Sequence, residues 1–150
     1  MTDLTALNVL YATMPPVAAM QIHARDFDGQ YLRVQAPLLA NLNDKGCAFG
    51  GSLVSVMTLA GWGRVVLGLH AVGLEAEVYV ADSKVRYLAP LYEDLHARAW
   101  LAPDQDWDTV LHRFRERGRS RVVVDAAISD ASGKVVATLN ARYAILKGNG

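Results

Sequence analysis

A chain of 150 residues is long enough to bury one sizeable core and short for two domains, so a single domain over 1–150 is expected. With 52% hydrophobic and 20% charged residues, and 15 basic side chains against 15 acidic ones, it has neither a disordered composition nor a net field that would draw nucleic acid or an anionic membrane. Its one cysteine, Cys47, excludes an internal disulfide framework and any multi-cysteine zinc site, and suits a reducing compartment.

The opening segment, MTDLTALNVLYATMPPV, has no basic region, long apolar core or small-residue cleavage site, so no export signal is read and the cytoplasm is expected. Asp3 or Thr5 caps a short helix that carries Leu4, Leu7, Leu10 and Tyr11 at helical spacing, and Pro15-Pro16 ends it. A short apolar piece, Val17 to Met20, leads into a strand over about 21–26. Asp28-Gly29 signals a hairpin, and the returning strand over 30–36 alternates Leu32, Val34 and Ala36 against Tyr31, Arg33 and Gln35. After Pro37 and a polar turn over 41–51 comes a run with no charged side chain until Arg64. A membrane span needs about 20 predominantly apolar residues. Here Gly50, Gly51, Ser52, Ser55, Thr58, Gly61 and Gly63 dilute the window, so Gly51 to about Leu69 reads as a helix buried inside the protein, with His70 and Gly73 near its end.

A long strand follows from Glu75 to about Leu88, with Pro90 as its stop, then another over 94–102 with Leu95, Ala97, Ala99 and Leu101 on one face. Trp107, Val110, Leu111 and Phe114 switch to helical spacing, with Arg113, Arg115 and Arg117 outward and Gly118 as the stop. Two more strands, over 121–129 and 134–146, are joined by a turn at Asp130 to Gly133. Strands gathered around a single long helix argue for an α+β fold in which an antiparallel sheet curls around that helix. Such a sheet exposes an edge strand that a second copy would cover, so a homodimer is expected, with tetramers a possible further assembly.

The turn before the long helix is the chemically suggestive stretch. Gly50 and Gly51 leave room for a ligand against the main chain, and a helix start offers unpaired N–H groups at the positive end of the macrodipole. A carbonyl oxygen or developing oxyanion suits that place. An ordinary helix entry, in which Ser52 or Asn43 caps backbone groups, explains the same residues.

With this element order and the segment Asn43-Asp44-Lys45-Gly46-Cys47-Ala48-Phe49-Gly50-Gly51, the chain resembles the hotdog-fold thioesterases, in particular the branch found alone or fused behind an acetyltransferase domain. The marks are the Asn-x-x-Gly-x-x-Phe-Gly-Gly-Ser-Leu helix entry, Leu-Ala-Gly-Trp-Gly at 59–63, and Asp82-Ser83-Lys84-Val85-Arg86-Tyr87-Leu88-Ala89-Pro90. The resemblance implies cleavage of the thioester between an acyl group and coenzyme A or acyl-carrier protein, without a metal and with no cofactor beyond the coenzyme A of the substrate. It also implies a substrate tunnel at a dimer interface. Carried over by position, Gly50 gives its N–H to the oxyanion, Asn43 orients water or carbonyl, and Asp82 lies on a strand flanking the site in the partner subunit. Phe49 and Gly51 are expected at the substrate pocket, and Ser52, Ser55 and Thr58, on one side of the helix, either line the acyl pocket or are small polar residues at a helix–helix contact.

Two departures stand out. Phe49 occupies the place of a His in many relatives, and Thr58, nine residues on, that of the acidic nucleophile or base of the phenylacetate-type enzymes. A hydroxyl without a base beside it does not replace a carboxylate. Asp82 is therefore the candidate base, although Asp82, Lys84 and Arg86 also read as a solvated, charge-paired row on one strand face. Asp44 reads as a turn residue. His23, His70, His96 and His112 share no ligand spacing, so no metal is expected. Arginines 113, 115, 117, 119 and 121 either meet the phosphates of coenzyme A or form a wet helix face. A dehydratase or isomerase on the same fold, and an acyl-CoA-binding or assembly module without catalysis, are the rival readings.

Overall fold

The uncharged run after Phe49 folds as one helix, α3 (Gly50–His70), in a computed structural model that describes residues 3–148. It is long and apolar enough to cross a membrane, yet 67% of its most apolar window is buried inside the protein. The burial comes from a sheet. Helices α1 (Thr5–Thr13) and α2 (Pro15–Met20) precede β1 (His23–Phe27) and β2 (Leu32–Ala36). A 3-10 turn at Leu38–Asn41 leads towards α3, and β3 (Glu77–Tyr87), β4 (Leu95–Leu101), α4 (Trp107–Arg117), β5 (Arg119–Ser129) and β6 (Val135–Leu146) follow. All six strands form one antiparallel sheet in the order β1-β2-β4-β5-β6-β3, packed against α3. The α+β architecture expected from the sequence is the one observed.

Local chemistry accounts for the element ends. Asp28 Oδ1 accepts from the N–H groups of Gln30 and Tyr31, and Gly29 takes a φ of +95°, closing the β1–β2 hairpin. Gly118 ends α4 in the left-handed conformation, its N–H donating to Phe114 O. The segment that follows Met14 is a helix, α2, rather than only an apolar lead-in; its two prolines stand in the first turn, where their missing N–H groups are not needed. β5 starts at Arg119, two residues ahead of the expected position, because the chain passes directly from Gly118 into the sheet.

The core lies between α3 and the inner face of the sheet. Val56, Met57, Ala60 and Val65 of α3 meet Leu32, Val34, Ala97, Ala99, Val122, Val124, Leu139 and Tyr143, all nearly fully buried. The glycines of the Leu-Ala-Gly-Trp-Gly segment have a specific purpose. A Cβ on Gly61 would collide with the Tyr143 hydroxyl, and one on Gly63 would stand 2.5 Å from the Tyr11 hydroxyl. These two buried hydroxyls donate to the carbonyls of Thr58 and Leu59, each at 2.7 Å. Arg64, also buried, donates from Nε to Gln30 O at 3.2 Å and stacks over the Phe27 ring, tying α3 to the hairpin. Burial lowers its pKa, partly offset by the Asp28 charge.

β3 is different from the other long strands. It pairs only with β6, and among its residues only Val78 is buried. Val80 pairs with Tyr143 and Asp82 with Arg142, so Ala81 is an extra residue, a β-bulge. Partners across an antiparallel ladder share a face. Val78, Val80, Ser83, Val85 and Tyr87 therefore stand on the α3 side, opposite Ile145, Tyr143, Ala141, Leu139 and Ala137, whereas Asp82, Lys84 and Arg86 are on the outer side.

Candidate active site at the start of α3

The turn before α3 is built by two asparagines. Asn41, 2% exposed, donates from Nδ2 to Met20 O and Pro37 O, and its main-chain carbonyl accepts from Phe49 N at 2.8 Å. Asn43 Oδ1 accepts from Lys45 N at 2.8 Å and Cys47 N at 3.1 Å, and Asn43 Nδ2 contacts Cys47 Sγ. Gly46 takes a φ of +79° within this turn, and Ala48 N donates to Leu91 O. Asp44 is paired with Lys45 in solvent. The side chain of Asn43 is thus engaged in holding the turn.

At the helix start Phe49 O accepts from Ser52 N and Leu53 N, and no side chain caps α3. Among the described residues the N–H groups of Gly50 and Gly51 have no acceptor. They sit at the positive end of a helix of 21 residues. The Phe49 ring lies against Gly51, where a Cβ would strike it, and is itself 54% exposed. Tyr87, from β3, lies beside Gly50: its hydroxyl donates to Gly50 O at 3.4 Å. Sequence reasoning had not singled out Tyr87. Its place near the end of the Asp82-to-Pro90 segment was the available signal.

Along α3 the half-buried residues Gly51, Ser55, Thr58 and Trp62 fall on one stripe, at spacings that share a helix face. Trp62 donates from Nε1 to Val78 O, which fixes the stripe beside the inner row of β3. We take the strip between Ser55 and Thr58 of this stripe and the inner row of β3, with Ser83, Val85 and Tyr87, as the candidate trough. Ser52 is only 4% exposed and faces the core, one third of a turn from the stripe. A cavity lies at the far end of the stripe, lined by Trp62, Val66, His70 and Val78, and it does not reach Asn43, Phe49, Gly50 or Gly51. β3, on one side of this trough, has no strand partner beyond it in the sheet.

Asp82 is not in this trough. The bulge at Ala81 turns it to the outer face, where its side chain, 63% exposed, pairs with Arg142 at 3.6 Å. The expected base is therefore placed by its own chain on the side away from α3, in the charge-paired row that the alternative reading described. His23, His96 and His112 lie on β1, β4 and α4, and His70 at the far end of α3. Among the described residues no three His, Cys, Asp or Glu side chains cluster as a metal site would require. Of the arginines, Arg113, Arg117, Arg119 and Arg121 do converge, joined by Arg142, while Arg115 stands apart.

A sequence model of the family described as "Putative thioesterase (yiiD_Cterm)" matches residues 4–147. Among solved structures, a protein of unknown function from Chlorobaculum tepidum superposes with a TM-score of 0.88 at 28% identity, over 95% of this chain and 93% of the other. A "putative thioesterase" from Shewanella oneidensis superposes with a TM-score of 0.85 at 29% identity, over 95% and 96%. A thioesterase from Haemophilus influenzae shares the fold, with a TM-score of 0.75 at 17% identity over 98% and 92%.

Proposed function

The chain belongs to the "putative thioesterase (yiiD_Cterm)" family, and from that premise we propose that it hydrolyses an acyl thioester of coenzyme A or acyl-carrier protein, with the oxyanion received by the unpaired Gly50 amide. That amide is the observation that carries the reading. Attack of water on the thioester carbon moves negative charge onto the carbonyl oxygen, and a fixed N–H at a helix start stabilises that charge without having to reorganise. The thiolate of the carrier departs as the tetrahedral intermediate collapses, and a proton from the attacking water ends on it. Tyr87 and Phe49 frame the carbonyl, Asn43 positions the glycines by holding the turn, and the acyl chain lies along the trough past Ser55 and Thr58.

A second copy of the chain completes this trough in our reading. β3 ends beside Gly50 and exposes Tyr79, Val80, Tyr87 and Leu88, and Phe49 is exposed next to them. Edge-to-edge pairing of β3 would cover these groups and close the open wall. It makes one continuous sheet, which keeps Asp82 on the outer face, so the reading assigns no general base to Asp82. A positioned base contributes roughly 10²–10⁴-fold to such reactions. Turnover is accordingly expected to be slow beside relatives with a carboxylate where this chain has Thr58. We place the reaction in the cytoplasm.

Gly50→Pro tests the amide directly. Proline is tolerated at the first position of a helix, and Phe49 already has the extended φ of −63° and ψ of 131° that a following proline requires. A Cβ there meets only Tyr87 Cε1, at 3.7 Å. The variant is expected to fold with an unchanged Tm and to lose about 10²–10³-fold in kcat on a panel of acyl-CoAs. Unaltered kcat would remove the Gly50 amide from the mechanism. The outward Asp82 favours one second reading, an acyl-thioester-binding module without turnover. Saturable acyl-CoA binding by calorimetry, with no hydrolysis by the wild-type chain, would establish that module instead.

A further inference from the structure

β5 outruns its neighbour. Its pairing with β4 ends at Leu101 and Val124, so residues 119–123 have β6 on one side and no strand on the other. Helix α4 packs there, its Val110, Leu111 and Phe114 buried, and Gly118 returns the chain directly into β5. This geometry brings Arg113 and Arg117, one helical turn apart, beside Arg119 and Arg121, two residues apart on the outer row of β5. Arg142 joins from β6, opposite Val123. These five arginines line one groove of about 580 Å³, with Ala81, Ala144 and Leu146 among its apolar lining.

Charge compensation is nearly absent. Of the five groove arginines, only Arg142 has a carboxylate within ion-pair distance among the described residues, Asp82 at 3.6 Å. Glu116 is turned to His112, and Asp125 to Asn140. Like charges set side by side on a sheet oppose folding. In a chain with a formal net charge of zero, so many cations in one concavity form a local field of the sign that collects anions. Guanidinium groups match phosphate oxygens in bidentate fashion, and several together fit adjacent phosphates. The same field repels a second copy of this face, which disfavours self-association through it.

The groove is also separate from the trough at α3. Arg119, Arg121 and Arg142 alternate with Ser120, Val122 and Tyr143, whose side chains face inward. The sheet itself therefore stands between the two. Ser120 Oγ has no hydrogen-bond partner, but it lies on that inner row and is not counted among the groove's donors.

We propose that this arginine groove binds a small molecule carrying two or more phosphate groups, at a site distinct from the one that receives the thioester. Calorimetry with ATP, 3′,5′-ADP and pyrophosphate, at low and high ionic strength, tests it with the wild-type chain. Saturable binding of at least one of them, weakened by salt, is expected. Arg119→Ala/Arg121→Ala should weaken it at least tenfold and Arg119→Lys/Arg121→Lys less, since lysine keeps the charge but loses the fork. Arg115→Ala, outside the groove, should bind as wild type. Acyl-CoA hydrolysis by the double alanine variant should keep its kcat and KM.

No saturable binding of any of the three would overturn the proposal, as would an Arg115→Ala variant that loses as much as the double one. Loss of 3′,5′-ADP binding together with a tenfold rise in KM for acyl-CoA would make the groove the nucleotide end of the thioester substrate, and the separate site would fall. Capture of acyl-carrier protein by the groove with no small-phosphate binding would likewise replace it. These binding readouts need no turnover, so they stand or fall independently of the thioesterase reading.

Discussion

Asp82 stands two residues after Val80, and an unbroken strand would set both side chains against α3. The extra residue at Ala81 reverses the alternation, so the carboxylate leaves the helix side and meets Arg142 instead. An exposed ion pair of this kind contributes little to stability. Asp82→Asn is therefore expected to change the unfolding free energy by less than about 1 kcal/mol. Its kcat on acyl-CoA should stay within about threefold of wild type, far from the loss that follows removal of a general base. A hundredfold fall in kcat would return Asp82 to the reaction. Asn43 illustrates the same lesson from the other side: its Oδ1 accepts two turn N–H groups, and the helix start is where it is because that turn is closed.

At the scale of the element, α3 is positioned by contacts that a side chain at 61 or 63 would destroy. Gly61→Ala forces the Tyr143 ring away and breaks its bond to Thr58 O, and a loss of about 2–4 kcal/mol in urea unfolding is expected. Adding Tyr143→Phe to that variant should cost less than the two single changes summed, because they remove one shared contact. The phenols of Tyr11 and Tyr143 are both pushed above their ordinary value of 10.0, chiefly by burial. With folded-state values above unfolded ones, their contribution to stability is complete below about pH 10 and is lost as pH rises further. Unfolding free energy should accordingly fall above that pH by at most about 1.4 kcal/mol per pH unit for each phenol, and Tyr143→Phe should shrink the fall. An alkaline profile identical in wild type and Tyr143→Phe would exclude the effect.

For the whole molecule the exposed β3 edge is the decisive feature. It is 11 residues long, pairs on one side only and carries Tyr79 and Val80 in solvent. An unpaired edge of this length with Tyr79, Val80 and Tyr87 exposed invites another strand despite its outward Asp82, Lys84 and Arg86, and a charge placed among those apolar groups opposes pairing. Light scattering should give the mass of a dimer for the wild-type chain and of a monomer for Val80→Lys. Hydrolysis should fall at least about tenfold in that variant, since substrate positioning is lost with the closing wall. A dimer undisturbed by Val80→Lys would place the interface elsewhere.

Much of this was legible in the residues alone. Asp28-Gly29 and Gly118 acted through φ angles and turn hydrogen bonds, the glycines, serines and threonine that dilute the uncharged run favoured a wrapped helix over a membrane span, and the alternation from Val135 to Leu146 named its own inner face. Each is a short-range signal, written in spacing and in the chemistry of a few neighbours, so local sequence determined it. Tertiary structure alone decided that β3 lies at the sheet edge, that Ala81 bulges, that Ser52 faces inward and that Arg142 joins four arginines distant from it in the chain. Those outcomes depend on which strands pair and in what register. That choice is settled by closing long loops and packing one shared core, and no local stretch of sequence carries it.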